Sequence, residues 1–80
     1  MEYAAVSYTD MKLKVNGREE ILTSHNNPVP TILDLITIKG LTPQNMVIEL
    51  DGEVVPREDW GNAILRDGSN VELLRFVGGG

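Results

Sequence analysis

Residues 11–22 run Met11-Lys12-Leu13-Lys14-Val15-Asn16-Gly17-Arg18-Glu19-Glu20-Ile21-Leu22. Met11, Leu13 and Val15 alternate with two lysines. That is the period-two pattern of a strand with one face buried and the other in water. Asn16-Gly17 follows at once. A two-residue type I′ turn needs positive φ at both central positions, which asparagine tolerates and glycine adopts freely. Residues 18–22 then return as the second strand of a hairpin, with Ile21 or Leu22 turned toward the core.

Downstream of the hairpin, residues 23–30 are rich in Ser, Asn and Pro and read as a loop. Thr31 is a good helix N-cap, and Asp34 stands three residues on, where a capping box places its acid. Ile32, Leu35 and Ile36 fall at helical spacing and form one apolar stripe, with Leu33 at its edge. Gly40 supplies the stop, and Lys39 lies beside the negative end of the helix. A helix this short is unstable alone and must lean on a sheet.

Residues 46–50 read as a buried strand. Asp51-Gly52 turns the chain into Glu53-Val54-Val55, and Pro56 ends that short edge strand. In residues 57–65, Trp60, Ala63 and Ile64 suit a turn of helix and then a short extended piece. Asp67-Gly68-Ser69-Asn70 is another turn, residues 71–77 are the last strand, and Gly78-Gly79-Gly80 closes the sequence. Two hairpins around one helix, with the final strand free to lie beside the first, describe an α+β protein of the β-grasp (ubiquitin-like) fold. The expected sheet is mixed, has four to five strands and packs on one main helix. Residues 1–10 are then an N-terminal extension, either disordered or a late addition. Residues 11–77 form the domain and residues 78–80 a flexible tail.

Composition narrows the function. A net charge of −5 disfavours binding to a phosphate backbone, because there is no excess of Lys and Arg to displace counterions. It suits docking on basic protein surfaces, or solubility alone. No apolar run approaches the roughly 20 residues that span a bilayer, and the first ten residues carry no basic run of a secretory signal. A cytoplasmic protein that binds neither nucleic acid nor membrane is expected. The chain has no cysteine, which removes disulfides, thiolate catalysis and cysteine-ligated metal. If this chain handles sulfur, the sulfur must ride on something other than a thiol.

No triad, phosphate loop, metal cluster or acid/base pair stands out, so the chain is not expected to be an enzyme or to bind a cofactor or metal. Glu19-Glu20 and Glu58-Asp59 have no nucleophile beside them and read as surface carboxylates, and His25 as solvated. Trp60 reads as a packing residue, with a place at a partner surface as the alternative. Arg57 either pairs with an acid or a backbone carbonyl, or touches a partner. In the last strand, Val71, Leu73 and Arg75 point one way, and Glu72, Leu74, Phe76 and Val77 take in the other face and the exit. A small sheet has one covered face, so Leu73, Leu74 and Phe76 together with Arg57 and Trp60 are the candidate docking residues. The alternative is that the apolar ones all fill the core.

Three glycines after an apolar strand add nothing to folding. They are either an incidental terminus or a thread that fits a narrow channel. Three extended residues reach about 10 Å beyond the fold, enough to carry the Gly80 carboxylate into a partner's site.

Three stretches resemble the ThiS family of thiamin-biosynthesis sulfur carriers. They are the opening MKLKVNGREE, the segment Ile48-Glu49-Leu50-Asp51-Gly52-Glu53-Val54-Val55-Pro56-Arg57-Glu58-Asp59-Trp60, and Phe76-Val77-Gly78-Gly79-Gly80 after the Asp67-Gly68 turn. The Pro56-Arg57-x-x-Trp60 segment paired with a diglycine end is the specific part. The resemblance implies a β-grasp carrier whose Gly80 is the point of sulfur attachment, with Gly78 and Gly79 threading into the partner site. It implies a ThiF-like adenylating enzyme that spends ATP, a cysteine-desulfurase relay supplying sulfur, and a ThiG-like thiazole synthase that receives it from a thiocarboxylate. The alternatives are a MoaD-like small subunit of molybdopterin synthase, a ubiquitin-like modifier, and a plain interaction domain with an incidental tail. Pro56-Arg57-x-x-Trp60 favours ThiS over MoaD. Residues 1–10 lie outside the family pattern, and the loop at 23–30 is longer and more polar than usual.

Overall fold

Asn16 and Gly17 turn the chain with φ of 52° and 81°, as a type I′ turn requires. They join β1 (Tyr8–Val15) to β2 (Arg18–His25) in an antiparallel pair whose register runs from Val15↔Arg18 to Tyr8↔His25. The structure is a computed structural model and describes residues 8–25 and 30–76. After the hairpin come α1 (Ile32–Ile38), β3 (Met46–Leu50), β4 (Glu53–Val54), a 3-10 turn (Arg57–Asp59) and β5 (Asn70–Arg75). Asp51 and Gly52 join β3 to β4 with φ of 52° and 88°, a second turn of the same kind.

The five strands form one sheet in the order β2-β1-β5-β3-β4. β5 lies parallel to β1 and antiparallel to β3, so the last strand sits at the centre between the two hairpins. This is the expected β-grasp: a mixed sheet wrapped on one helix. Leu13, Ile32, Leu35, Ile48, Leu65 and Val71 are among the most deeply buried of the described side chains, and Trp60 closes the same cluster at 3% exposure. Each buried Leu, Ile or Val contributes about 1.5–3 kcal/mol from apolar transfer.

Thr31 caps α1 as expected, with Asp34 completing the box. Tertiary contacts satisfy the other first-turn amides. Ile32 N donates to the Ala63 carbonyl and Leu33 N to the Trp60 carbonyl, both at 3.0 Å. The segment after the 3-10 turn thus serves as part of the helix cap, which steadies a helix of seven residues. Gly40 ends it at φ 67°, and Lys39 at the C-cap pairs its Nζ with Glu20 Oε1 at 2.8 Å.

Several element boundaries differ from the sequence expectation, among them the end of β4 at Val54 where the expected strand ran to Val55. β1 starts at Tyr8, within the stretch read as an extension, and β2 continues to His25, into the stretch read as loop. In this outer part Thr23 Oγ1 donates to Asp10 Oδ1 at 2.8 Å, a polar cross-strand pair that hydrophobic periodicity cannot register. β5 spans Asn70–Arg75, where the expected strand ran over residues 71–77. Val77, the tail at 78–80 and the first seven residues lie outside the described residues. The expectation for the His25 side chain also concerns a group that is not described.

Candidate functional site

β5 delivers the chain to the tail, and alternation along it sorts the candidate docking residues onto two faces. Val71 pairs with Leu50 and Leu73 with Ile48, and these four look toward the helix and the core. Leu73 is half-buried there and is not part of an exposed patch. Leu74 pairs with Val47 on the open face and is 44% exposed. Phe76, one residue past the strand, is 61% exposed. On the same open face Glu72 lies directly across from Glu49, so carboxylates border the apolar pair Val47 and Leu74. Like charges opposite each other in a sheet are unfavourable.

The base of the tail is held by backbone. Phe76 N donates to the Asn45 carbonyl at 2.8 Å, and Asn45 itself takes the left-handed conformation at φ 59°. The loop at residues 41–45, between α1 and β3, therefore sets where the chain leaves the sheet. Two arginines reach that loop. Arg57 Nη2 donates to the Pro43 carbonyl at 2.6 Å, and Arg75 Nη2 approaches the Thr42 carbonyl at 3.4 Å.

Arg57 and Trp60 come together, but not as an exposed pair. The Arg57 guanidinium lies 5.4 Å from the centroid of the Trp60 ring, while the indole Nε1 donates to the Val55 carbonyl at 2.9 Å. The ring belongs to the core, in line with the packing reading, and only the arginine shows at the surface. Gly78, Gly79 and Gly80 lie outside the described residues. Sequence reasoning missed Asn45, Val47 and Glu49, and placed Glu72 on the face of Leu74 without foreseeing Glu49 across from it. An asparagine just before a strand hints at a left-handed turn, but nothing local says that its carbonyl meets a residue 31 positions later, the separation of Asn45 and Phe76 in the chain.

Among the described residues, no group of three or more His, Cys, Asp or Glu side chains could hold a metal ion. No helix among them is long and apolar enough to cross a membrane.

A mixed sheet curled over one helix, with the last strand central and its end open to solvent, defines a ubiquitin-like β-grasp domain. The chain belongs to the ThiS family, which it matches over residues 9–80. It is similar to the thiamine biosynthesis protein ThiS from Geobacter metallireducens. The crystal structure of that protein aligns with a TM-score of 0.68 at 32% identity, covering 88% of this chain and 100% of that one. Its solution NMR structure aligns with a TM-score of 0.69 at 31% identity, covering 88% of each. Two thiazole synthases also match. That of Magnetococcus marinus is 31% identical over 71 residues, and that of Paramagnetospirillum magneticum 29% over 70. Each match covers 88% of this chain and 20% of the relative, so the chain spans about a fifth of the length of these curated relatives.

Proposed function

We propose that this chain is a sulfur carrier for thiazole formation in thiamin biosynthesis, with the Gly80 carboxylate as its working group. The observation that carries the proposal is the ThiS family match over residues 9–80, which takes in Gly78, Gly79 and Gly80. The absence of cysteine supports it, since no side-chain thiol competes for activated sulfur.

The chemistry takes place in partner active sites, and this chain is acted upon. A carboxylate oxygen of Gly80 attacks the α-phosphorus of ATP on a ThiF-like enzyme and pyrophosphate leaves. The resulting acyl-adenylate has an electrophilic carbonyl carbon. A sulfide-equivalent nucleophile from a cysteine-desulfurase relay adds there and AMP departs, leaving a thiocarboxylate. When the sulfur arrives as a persulfide, a relay thiol supplies the two electrons that free it. The thiocarboxylate then gives its sulfur to a ThiG-like thiazole synthase. The likeness to two thiazole synthases, in which a segment like this chain makes up a fifth of the protein, supports that acceptor. A cytoplasmic setting fits these partners.

The exposed Leu74 and Phe76, just before the tail in sequence, are the part of the surface best placed to dock the activating enzyme. Glu49 and Glu72 complement basic side chains on it.

The test is alkylation of the protein after incubation with ATP, a ThiF-like enzyme and a sulfur source, read by intact and fragment mass. Because the chain lacks cysteine, a thiol-reactive label reports a thiocarboxylate. ATP-dependent label on Gly80, absent when Gly79 and Gly80 are removed, is the expected result. No label, from an activating enzyme that works on a known carrier, overturns the proposal.

A further inference from the structure

We infer that Arg57 is a positioning residue that holds Phe76, the last described residue before the C-terminal tail, through the loop at residues 41–45. The inference deepens the carrier function proposed above and rests on it for its biological meaning, though its structural part does not.

Four contacts in series carry it. Trp60 is anchored in the core by burial and by its bond to the Val55 carbonyl. Arg57 lies over that fixed ring at 5.4 Å and extends Nη2 to the Pro43 carbonyl at 2.6 Å. Asn45, two residues further along the same loop, accepts the Phe76 amide at 2.8 Å. At its start the loop is also tied by Leu41, which packs on the core and donates its amide to the Ile36 carbonyl at 3.0 Å. Residues 42–45 are exposed, and the second arginine, Arg75, reaches the Thr42 carbonyl only at 3.4 Å. A charged donor on a carbonyl is among the stronger hydrogen bonds, and a planar guanidinium resting on an aromatic face is directed more tightly than a lysine. Pro43 gives the loop a fixed φ just where the arginine holds it. The Asn45 carbonyl is thereby presented to Phe76 in one orientation, and the residue from which the tail continues is held in place.

A tail that must enter a partner's channel gains from a fixed base. Loosening the base lowers the fraction of molecules competent to enter, which weakens apparent affinity and leaves the bound complex unchanged.

The experiment compares wild type with Arg57→Met, which keeps the stem over Trp60 and removes the donor, and with Arg57→Lys, which keeps one charged donor. Solvent exchange of the Phe76 amide, followed by NMR, is expected to quicken about ten-fold in Arg57→Met. The Leu65 amide, bonded to the Pro30 carbonyl on another part of the core, should change less than about two-fold. Arg57→Lys should restore most of the protection. With the activating enzyme, Arg57→Met should raise KM several-fold with kcat within about two-fold of wild type.

Unchanged Phe76 exchange overturns the inference. If KM still rises in that case, Arg57 is a docking group instead. A parallel rise at Phe76 and Leu65 also overturns it, because Arg57 then supports only the global fold. The exchange arm needs no partner enzyme, so it judges the clamp even if the wild-type chain is never adenylated, and that last result would fall on the carrier function alone.

Discussion

The side-chain oxygen of Asn16 accepts the Leu73 amide at 2.7 Å, joining residues 57 positions apart. Asn16 N also donates to the Val71 carbonyl at 2.9 Å. The parallel register between β1 and β5 contains only Lys14↔Asn70 and Val15↔Val71. The asparagine at the hairpin tip therefore prolongs a short parallel junction while it also makes the turn at φ 52°. These roles separate by substitution. Asn16→Gly keeps the backbone freedom and loses the acceptor, and it should cost about 1 kcal/mol. Asn16→Ala adds the strain of a left-handed non-glycine residue and should cost about 2 kcal/mol in total. In a domain this small, thermal melting should report shifts of about 4–8 °C per kcal/mol. A glycine variant as stable as wild type would show that the bond to Leu73 carries no weight.

Trp60 is the sole tryptophan and is 3% exposed, so its emission should be blue-shifted in the native state and move to the red on unfolding. Trp60→Phe deletes the bond to Val55 and leaves part of the indole volume empty, at a cost of about 2 kcal/mol. Trp60→Ala should cost about 3–5 kcal/mol, most of what a domain of this size has in reserve. Urea unfolding followed by circular dichroism checks both, and a phenylalanine variant within experimental error of wild type would contradict the packing role.

Thr31 and Asp34 cap α1 reciprocally. Asp34 N donates to Thr31 Oγ1 at 3.3 Å, and Thr31 N donates to Asp34 Oδ2 at 2.8 Å. Thr31→Ala should cost about 1 kcal/mol. Because both residues belong to one motif, the double variant Thr31→Ala/Asp34→Ala should lose less than the sum of the single losses, by about 0.5 kcal/mol or more. Strict additivity in a double-mutant cycle would mean that the two residues stabilise the helix independently.

Leu74 and Phe76 are exposed on or beside the open face, whereas Leu73 packs against the core. Leu74→Ser and Phe76→Ser should leave the melting temperature within about 2 °C of wild type. Together they should raise the KM of the activating enzyme about ten-fold. Leu73→Ser should do the reverse and lower the melting temperature first. Unaltered KM in the double variant would move the docking surface elsewhere.

Much of the fold was legible because the deciding signals are local. Alternation in residues 11–15, the Asn16-Gly17 and Asp51-Gly52 turns, and the Thr31/Asp34 cap each act over a few residues, and each appears in the structure as expected. The outer ends of the first hairpin were not legible, because Asp10 and Thr23 join them by a polar pair that leaves no hydrophobic period. The candidate site was legible in part. Leu74 and Phe76 could be named from strand alternation, but the exposure of Leu74 against the burial of Leu73 depends on which face the helix covers. Arg57 could be foreseen bonding a carbonyl, yet not the Pro43 carbonyl across the loop.

Short-range chemistry was enough to specify where the strands turn, where the helix starts and stops, and that the core lies on one side of the sheet. Backbone φ preferences, caps and side-chain periodicity act within about one turn or one hairpin. Three features arose only when distant segments met. These are the insertion of β5 between the hairpins, the capping of α1 by the Ala63 and Trp60 carbonyls, and the chain of contacts from Trp60 through Arg57 and the 41–45 loop to Phe76. Each rests on a bond between groups far apart in sequence, and such bonds form only once burial of the shared core has brought the segments together.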